Sequence, residues 1–155
     1  MHLISNMWAL FIFGDNIEDK LGHFGYLFFY LACGVCAGLT QVSMSLGSVV
    51  PMVGASGAIA GVLGGYIISY PTARVLTAIP IFFIIRLIEV PAAVYLGFWF
   101  VSQAFTGFAS IAKETGEEGG VAWWAHVGGF VAGVILVKIM SFRRQDPDTH
   151  NYIDN

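Results

Sequence analysis

A serine, two histidines and an asparagine stand at the beginnings of three apolar stretches of this chain. They are Ser56 in the segment GASG, His126 in the segment AHVGG, and His2 and Asn6 in the segment HLISN. Hydrocarbon penalises a polar side chain that lacks a partner, so such residues are candidates for function when they can converge. A serine hydroxyl becomes a nucleophile when a neighbouring neutral imidazole accepts its proton. The set therefore predicts acyl transfer on Ser56 with His126 as the base.

Acyl transfer through a serine also requires donors for the negative oxygen of the tetrahedral intermediate. His2 and Asn6 are four residues apart and would share one face of a helix. Their side-chain N–H groups can supply two donors, and the backbone N–H of Ser56 can supply a third. The histidine spacing does not fit a zinc protease motif, and Glu89 is the only acidic residue near an apolar span, which leaves no aspartyl pair. We expect no metal and no cofactor.

Glycines at four-residue spacing indicate which helices bring Ser56 and His126 together. Small residues at this spacing allow two helix backbones to approach closely. Gly57 and Gly61 have this spacing, as do Gly129 and Gly133, and Gly54 is also predicted to pack a helix. Each feature alone has a plainer interpretation: such glycines often only pack, a serine among them is often a packing residue, and a histidine at a helix start is often interfacial. Their conjunction favours a catalytic site.

The composition indicates that these stretches lie in a membrane. Hydrophobic residues make up 57% of the chain and charged residues 11%, and the mean hydropathy is +0.74. Ordinary soluble domains contain about 25% charged residues. A chain of 155 residues has room for one domain of about five to six spans of ~20 residues each. The net charge of −3 and the absence of a basic run that alternates with aromatic residues argue against a nucleic-acid partner.

The apolar stretches predict where the spans lie. Residues 1–13, 24–42, 54–70, 91–111 and 123–140 are the five candidates. A charged turn is expected after the first span, at residues 15–20. Residues 72–90 are apolar but contain two arginines, a proline and a glutamate, which favours an interfacial or re-entrant stretch over a span. Residues 1–140 would form one membrane domain and residues 141–155 a hydrophilic tail. Cys33 and Cys36 are expected to be small packing residues.

Basic residues predict the orientation, because cytoplasmic loops carry the excess of lysine and arginine. Six of them fall on the side of the tail: Lys20, Arg74, Arg86, Lys138, Arg143 and Arg144. Lys113 falls on the other side. The tail is therefore predicted to be cytoplasmic, and the first, third and fifth spans would run in the same direction from the extracytoplasmic side. His2, Asn6, Ser56 and His126 would then lie at a similar depth.

The three polar segments resemble, in order, motifs of the rhomboid intramembrane serine proteases. His2 to Asn6 is similar to the family's HxxxN, GASG to its GxSG, and the segment from Ala125 to Gly133 to its AHxxGxxxG. The resemblance extends from His2 to about residue 140. It implies an all-α polytopic bundle that corresponds to helices two to six of a six-helix core. The family's first helix and the loop after it would precede Met1.

The resemblance also implies roles for the site residues. Ser56 would be the nucleophile and His126 the general base and acid, while His2, Asn6 and the Ser56 amide would bind the oxyanion. Proteins of this family cleave transmembrane substrates with a Ser–His dyad, near the luminal or periplasmic end, without metal or ATP. The expected partners are the lipid bilayer and transmembrane proteins. The expected location is the bacterial inner membrane, with the site on the extracytoplasmic side. The alternative is a non-proteolytic rhomboid-like membrane protein that binds transmembrane clients and is inactive because the family's first helix is missing.

Overall fold

The computed structural model describes residues 2–46, 53–81, 83–112 and 122–143. Within these ranges the chain forms five α-helices and one β-hairpin. In chain order they are α1 (His2–Leu21), α2 (His23–Met44), α3 (Ser56–Ser69), β1 (Arg74–Ile81), β2 (Ile84–Pro91), α4 (Ala92–Ala112) and α5 (Trp123–Arg143). The predicted helical bundle is confirmed. The predicted loop at residues 113–120 and most of the predicted tail lie outside the described residues.

Three of the helices in the described ranges are long and apolar enough to cross a membrane. They are α2 over His23–Met44, α4 over Ala92–Ala109 and α5 over Trp123–Ser141. Helix α3 is apolar but has only 14 residues. At 1.5 Å per residue it is about 21 Å long, against a hydrocarbon core of about 30 Å. One end of α3 must therefore lie below the membrane surface if the other end reaches it.

Helix α3 forms the centre of the bundle and contacts each of the other four helices. Every residue from 57 to 66 is buried. A helix that is apolar on all sides is stable only when neighbours surround it, and this is the arrangement observed. The first residue of α3, Ser56, is consequently held by the most enclosed element of the structure.

Helices α3 and α5 touch through their glycines. A Cβ atom added at Gly129 would overlap the carbonyl of Gly57, and one added at Gly133 would overlap the carbonyl of Gly61. Only glycine therefore fits at these two positions of α5 without moving the helices apart. The pairing advances by four residues in both helices together, which shows that α3 and α5 run in the same direction.

Helix α2 packs against α3 in the opposite direction. Its small residues face the glycines of α3: a Cβ atom at Gly57 would lie 2.6 Å from the Cβ of Ala37, and one at Gly61 would overlap Cys33. Cys33 is fully buried and both cysteines are free thiols. The interpretation of Cys33 as a small packing residue agrees with this contact.

Helix α1 extends further than the sequence predicted. Residues 15–20 were expected to form a turn, but the helix continues through them to Leu21. Phe13, Gly14, Ile17 and Leu21 are buried at three- or four-residue spacing, so one face of the helix still packs on the core while the charged residues lie on the other. The Phe13 ring meets the Tyr66 ring edge-on, with 4.9 Å between centroids. Gly22, whose φ is 72°, follows the last helical residue and separates α1 from α2.

Residues 74–91 form an antiparallel hairpin, a structure that the sequence left open between interfacial and re-entrant. Arg74 pairs with Pro91 at its base, and Ile81 pairs with Ile84 next to its tip. The segment is rich in β-branched residues, and Pro80 is incompatible with a helix interior, so a strand is the favoured conformation. The other helices agree with the predicted spans within a few residues, and α5 passes the predicted domain boundary at residue 140 to end at Arg143.

Candidate active site

Ser56 and His126 are in direct hydrogen-bond contact. Ser56 is the first residue of α3 and His126 lies in the first turn of α5. The Oγ of Ser56 is 2.9 Å from the Nε2 of His126, and the histidine is only 8% exposed. The glycine contact between the two parallel helices places their first turns side by side. A nucleophile and a base require this arrangement.

Gln103 of α4 holds the other side of the histidine ring. Its Oε1 lies 2.7 Å from the Nδ1 of His126. An amide oxygen only accepts hydrogen bonds, so Nδ1 carries the proton and donates it. Gln103 Nε2 donates to Ser102 Oγ at 3.3 Å, which agrees with this orientation of the amide. The neutral ring therefore presents its Nε2 lone pair to the Ser56 hydroxyl, which donates to it.

Aromatic rings enclose the histidine. The centroid of the Trp99 ring lies 5.8 Å from that of His126, and the Trp123 ring meets it edge-on at 6.3 Å. Gln41 of α2 accepts a hydrogen bond from the backbone N–H of Ala125 at 3.1 Å. This bond satisfies one of the free N–H groups at the start of α5 and ties the turn that carries His126 to α2.

His2 and Asn6 lie on the same face of α1, as predicted. The Nε2 of His2 is 3.5 Å from the Nδ2 of Asn6. Both residues line a cavity of about 270 Å³ that they share with Ser56 and His126. The full lining consists of His2, Ser5, Asn6, Ala9, Ser56, Ile59, Ala60, Leu63, Trp99, Gln103 and His126. A liquid water molecule occupies about 30 Å³, so the cavity has room for several water molecules or for a peptide group.

Gly54 does not pack a helix as the sequence predicted. It precedes α3 and its φ is +129°, a conformation that residues with a side chain rarely adopt. A Cβ atom at this position would lie 3.1 Å from the Cε1 of His2 and 3.9 Å from the Oγ of Ser56. Gly54 therefore allows the chain to turn into α3 and leaves room between α1 and the serine.

The start of α3 also offers backbone donors to the cavity. The first N–H groups of a helix have no acceptor within the helix, and the helix dipole adds positive potential there. Ser56 is the first helical residue, so its own N–H belongs to this group. Together with the side chains of His2 and Asn6, the site contains the donor types that an oxyanion needs.

Gln103, Trp99 and Gln41 were not identified from the sequence. Gln103 carries a usable signal, because a glutamine within the apolar stretch of residues 91–111 is costly in a membrane unless it has a partner. No sequence spacing indicates that this partner is His126, 23 residues further along the chain. Trp99 and Gln41 have no distinguishing pattern.

Comparison with known proteins gives two matches and one negative result. The sequence model of the family described as "Rhomboid domain" matches residues 1–143. "Rhomboid-like protein 11, chloroplastic" of Arabidopsis thaliana is 30% identical over 145 residues, which cover 90% of this chain and 48% of that protein. The chain thus spans about half the length of this relative. No solved structure gives a significant match.

Proposed function

This chain belongs to the rhomboid family, and on that premise we propose that it is an intramembrane serine endopeptidase. The observation that supports the proposal is the chain of hydrogen bonds from Ser56 Oγ to His126 and on to Gln103 Oε1. These hydrogen-bonded side chains lie beside a cavity that His2 and Asn6 also line. A serine that served only for packing would not need an oriented base.

In the proposed reaction, Ser56 Oγ attacks the carbonyl carbon of a peptide bond and its proton passes to His126 Nε2. The carbonyl oxygen becomes an oxyanion, which the Ser56 N–H and the side chains of His2 and Asn6 stabilise. Collapse of this intermediate breaks the C–N bond, and His126 returns the proton to the departing amine. A water molecule then attacks the acyl-enzyme, with His126 again as base, and releases the acid product and free Ser56.

The substrates we propose are transmembrane segments of other proteins. Ser56 and His126 lie in the first turns of their helices, so the site is near one end of the bundle. A peptide bond reaches it only where the substrate's own helix is unwound. The predicted orientation puts this end on the extracytoplasmic side. Location in the bacterial inner membrane stays a prediction from the sequence, and the Arabidopsis relative is named a chloroplastic protein.

The alternative function is binding of transmembrane clients without cleavage. One observation favours it: the relative is named "rhomboid-like" and its name states no protease activity. The presence of both Ser56 and His126, in hydrogen-bond contact, favours the protease. The two functions differ in whether Ser56 is needed.

Labelling with a fluorophosphonate probe tests the proposal. We expect the detergent-solubilised wild type to be labelled, and Ser56→Ala and His126→Ala to lose labelling because the nucleophile or its base is gone. Ser43→Ala is the control, since Ser43 is an exposed serine of α2 whose hydroxyl donates to Leu39 O at 2.8 Å. It should label like the wild type.

Cleavage of a transmembrane peptide in lipid vesicles completes the test. We expect cleavage by the wild type and by Ser43→Ala, and none by Ser56→Ala. Labelling or cleavage that persists in Ser56→Ala would refute the assignment of the nucleophile. The binding function would be established instead by a folded wild type that captures the peptide but is neither labelled nor able to cleave it. In that case Ser56→Ala should capture the peptide as well as the wild type does.

A further inference from the structure

The β-hairpin is the least covered element of the described chain. It joins the end of α3 to the start of α4, at the end of α3 opposite Ser56. Among the described elements outside the hairpin, its strands contact only α4. Two backbone hydrogen bonds fix its base: Ala92 N–H donates to Ala73 O at 2.8 Å and Ala93 N–H donates to Pro71 O at 3.0 Å. Beyond this base the hairpin extends away from the bundle.

Both faces of the hairpin are apolar. The register groups Leu76, Ala78, Ile85 and Leu87 on one face, and Ile79, Ile84 and Ile88 on the other. Leu76 is 66% exposed and Leu87 is 63% exposed on the first face, and Ile84 is 63% exposed on the second. A two-stranded antiparallel sheet in water normally keeps one polar face. This hairpin has no polar face, so exposure of either face to water is unfavourable.

The position of the base places the hairpin at the membrane boundary. β2 ends at Pro91 and α4 begins at Ala92, with no residue between them. Helix α4 is one of the helices that can span the bilayer. The eight residues of each strand extend about 26 Å at ~3.3 Å per residue. The whole hairpin is therefore within reach of the lipid surface from which α4 starts.

Two features argue against immersion in the hydrocarbon core. A two-stranded sheet has unpaired backbone groups along both outer edges, and these have no water partner in hydrocarbon. Each face also carries charge: Arg86 lies on one face, and Arg74 and Glu89 lie on the other. Arginine side chains near a membrane surface extend to the headgroups while their stems remain in apolar surroundings. In the interfacial region the apolar side chains can contact acyl chains, while the backbone groups of the strand edges and the charged side chains can reach water and headgroups.

We propose that the hairpin is a membrane-interface element, which lies among the lipid headgroups and upper acyl chains at the end of the bundle opposite Ser56. Apart from Val75 near the base, which packs on the protein core, its occupant on both faces is lipid. A second copy of the chain would be the competing occupant, and it would have to add a strand along an edge. Pro80 lacks the N–H group that pairing along the β1 edge would use. The proposal does not depend on protease activity.

Spin labels at single cysteines test the proposal in vesicles of zwitterionic and anionic phospholipid. Cys36 is replaced by alanine, and Cys33 is kept because it is buried. Two labels go on each face, one at a time, at Leu76, Leu87, Ile79 and Ile88. Phe105 on the exposed side of α4 is the lipid control, and Asp19 on the exposed side of α1 is the aqueous control at the same end of the bundle. Accessibility to oxygen reports lipid, and accessibility to a nickel chelate reports water.

We expect the oxygen-to-nickel accessibility ratio at all four hairpin positions to lie between that at Asp19 and that at Phe105, because the interface admits oxygen and part of the chelate. A ratio equal to that at Phe105 would overturn the proposal by placing the hairpin in the hydrocarbon core. A ratio like that of Asp19 on either face would overturn the proposal by placing that face in water. Low accessibility to both reagents, or dipolar broadening between labels on separate molecules, would overturn it by showing a protein partner. Circular dichroism and gel filtration of each labelled variant, compared with the wild type, identify a misfolded variant so that it is not mistaken for either outcome.

Discussion

The histidine at the centre of the site depends on a residue that no motif contains. Gln103 Oε1 accepts from His126 Nδ1 at 2.7 Å, and this one bond decides which ring nitrogen faces Ser56. In the serine hydrolases that use a triad, a carboxylate has this task. Here the same orientation is obtained with an amide from a neighbouring helix.

Replacement of Gln103 by leucine should therefore weaken the reaction without removing the dyad. Loss of the hydrogen bond leaves Nδ1 without its partner and releases the ring. An unsatisfied buried group costs about 1–3 kcal/mol, so we expect kcat to fall about 10- to 100-fold. Rates of probe labelling and of peptide cleavage measure the effect.

Gln103→Glu separates orientation from packing, because a carboxylate also accepts from Nδ1. It should restore most of the rate that Gln103→Leu loses. The negative charge favours the protonated ring, so the decline of activity at acid pH should begin at a higher pH than in the wild type. If Gln103→Glu is as slow as Gln103→Leu and its pH profile is unchanged, Gln103 has only a packing role.

The wild type should itself lose activity as the pH falls. In the proposed reaction His126 must be neutral to accept the Ser56 proton, and protonation at Nε2 removes its lone pair. The measurement is the pH profile of kcat/KM for peptide cleavage, with helical content followed by circular dichroism as the control for folding. A profile that stays flat until the protein unfolds would argue against His126 as the base.

Ser56, His126, His2 and Asn6 could be predicted because each lies at a recognisable spacing from a glycine or from another polar residue. Gln103 and Trp99 could not, since their proximity to His126 depends on how α4 rotates against α5. That rotation follows from packing between two helices, which no local pattern encodes. Gly54 was assigned the wrong role because it was grouped with the glycines of α3, whereas it precedes that helix and has a φ of +129°.

At the scale of elements, the positions of the helices can be predicted from the apolar runs, but the residues at which the helices end are predicted less accurately. Helix α1 passes through its charged residues because Ile17 and Leu21 are buried on its inner face. The hairpin could not be predicted as strands because apolar residues on both faces give no alternation of apolar and polar positions. In both cases the deciding contact or surroundings lie outside the segment itself.

The glycine contact between α3 and α5 predicts a sharp difference between two Gly→Ala substitutions. Gly133→Ala places a methyl group on the Gly61 carbonyl and must separate the helices that carry Ser56 and His126. We expect a loss of about 1–3 kcal/mol in stability, as for other overpacked sites. A marked fall in probe labelling should accompany it.

Gly97→Ala in α4 is the matched control, because nothing lies within 4 Å of a Cβ atom there. It should label and unfold like the wild type. Thermal unfolding in detergent, followed by circular dichroism, measures both variants. Equal unfolding temperatures for Gly133→Ala and Gly97→Ala would show that the close backbone contact does not exist in the membrane protein.

For the whole molecule, the basic residues of the described chain gather at one end. Lys20 ends α1, Arg74 and Arg86 belong to the hairpin, and Lys138 and Arg143 lie near the end of α5. Ser56 and His126 lie at the opposite end. Because cytoplasmic segments carry the excess of lysine and arginine, we predict that the end of α5 faces the cytoplasm.

Reporter fusions after Arg143 in bacterial cells test this orientation. A fluorescent protein that matures only in the cytoplasm should be bright there, and alkaline phosphatase fused at the same residue should be inactive. The matched control places each reporter between α4 and α5, where the pattern should reverse. Active phosphatase after Arg143 would invert the topology and place Ser56 at the cytoplasmic side.

The cavity at the site has no acidic residue in its lining. In the proposed reaction, the imidazolium on His126 and the oxyanion on the substrate are therefore counterions of each other. They form in one step and disappear in the next, so the site returns to its starting net charge without taking up an ion. At a separation of ~4 Å and an effective dielectric constant of ~20, their attraction is about 4 kcal/mol. An enzyme whose transient charges stay paired at this distance should work at nearly the same rate in dilute and in concentrated salt.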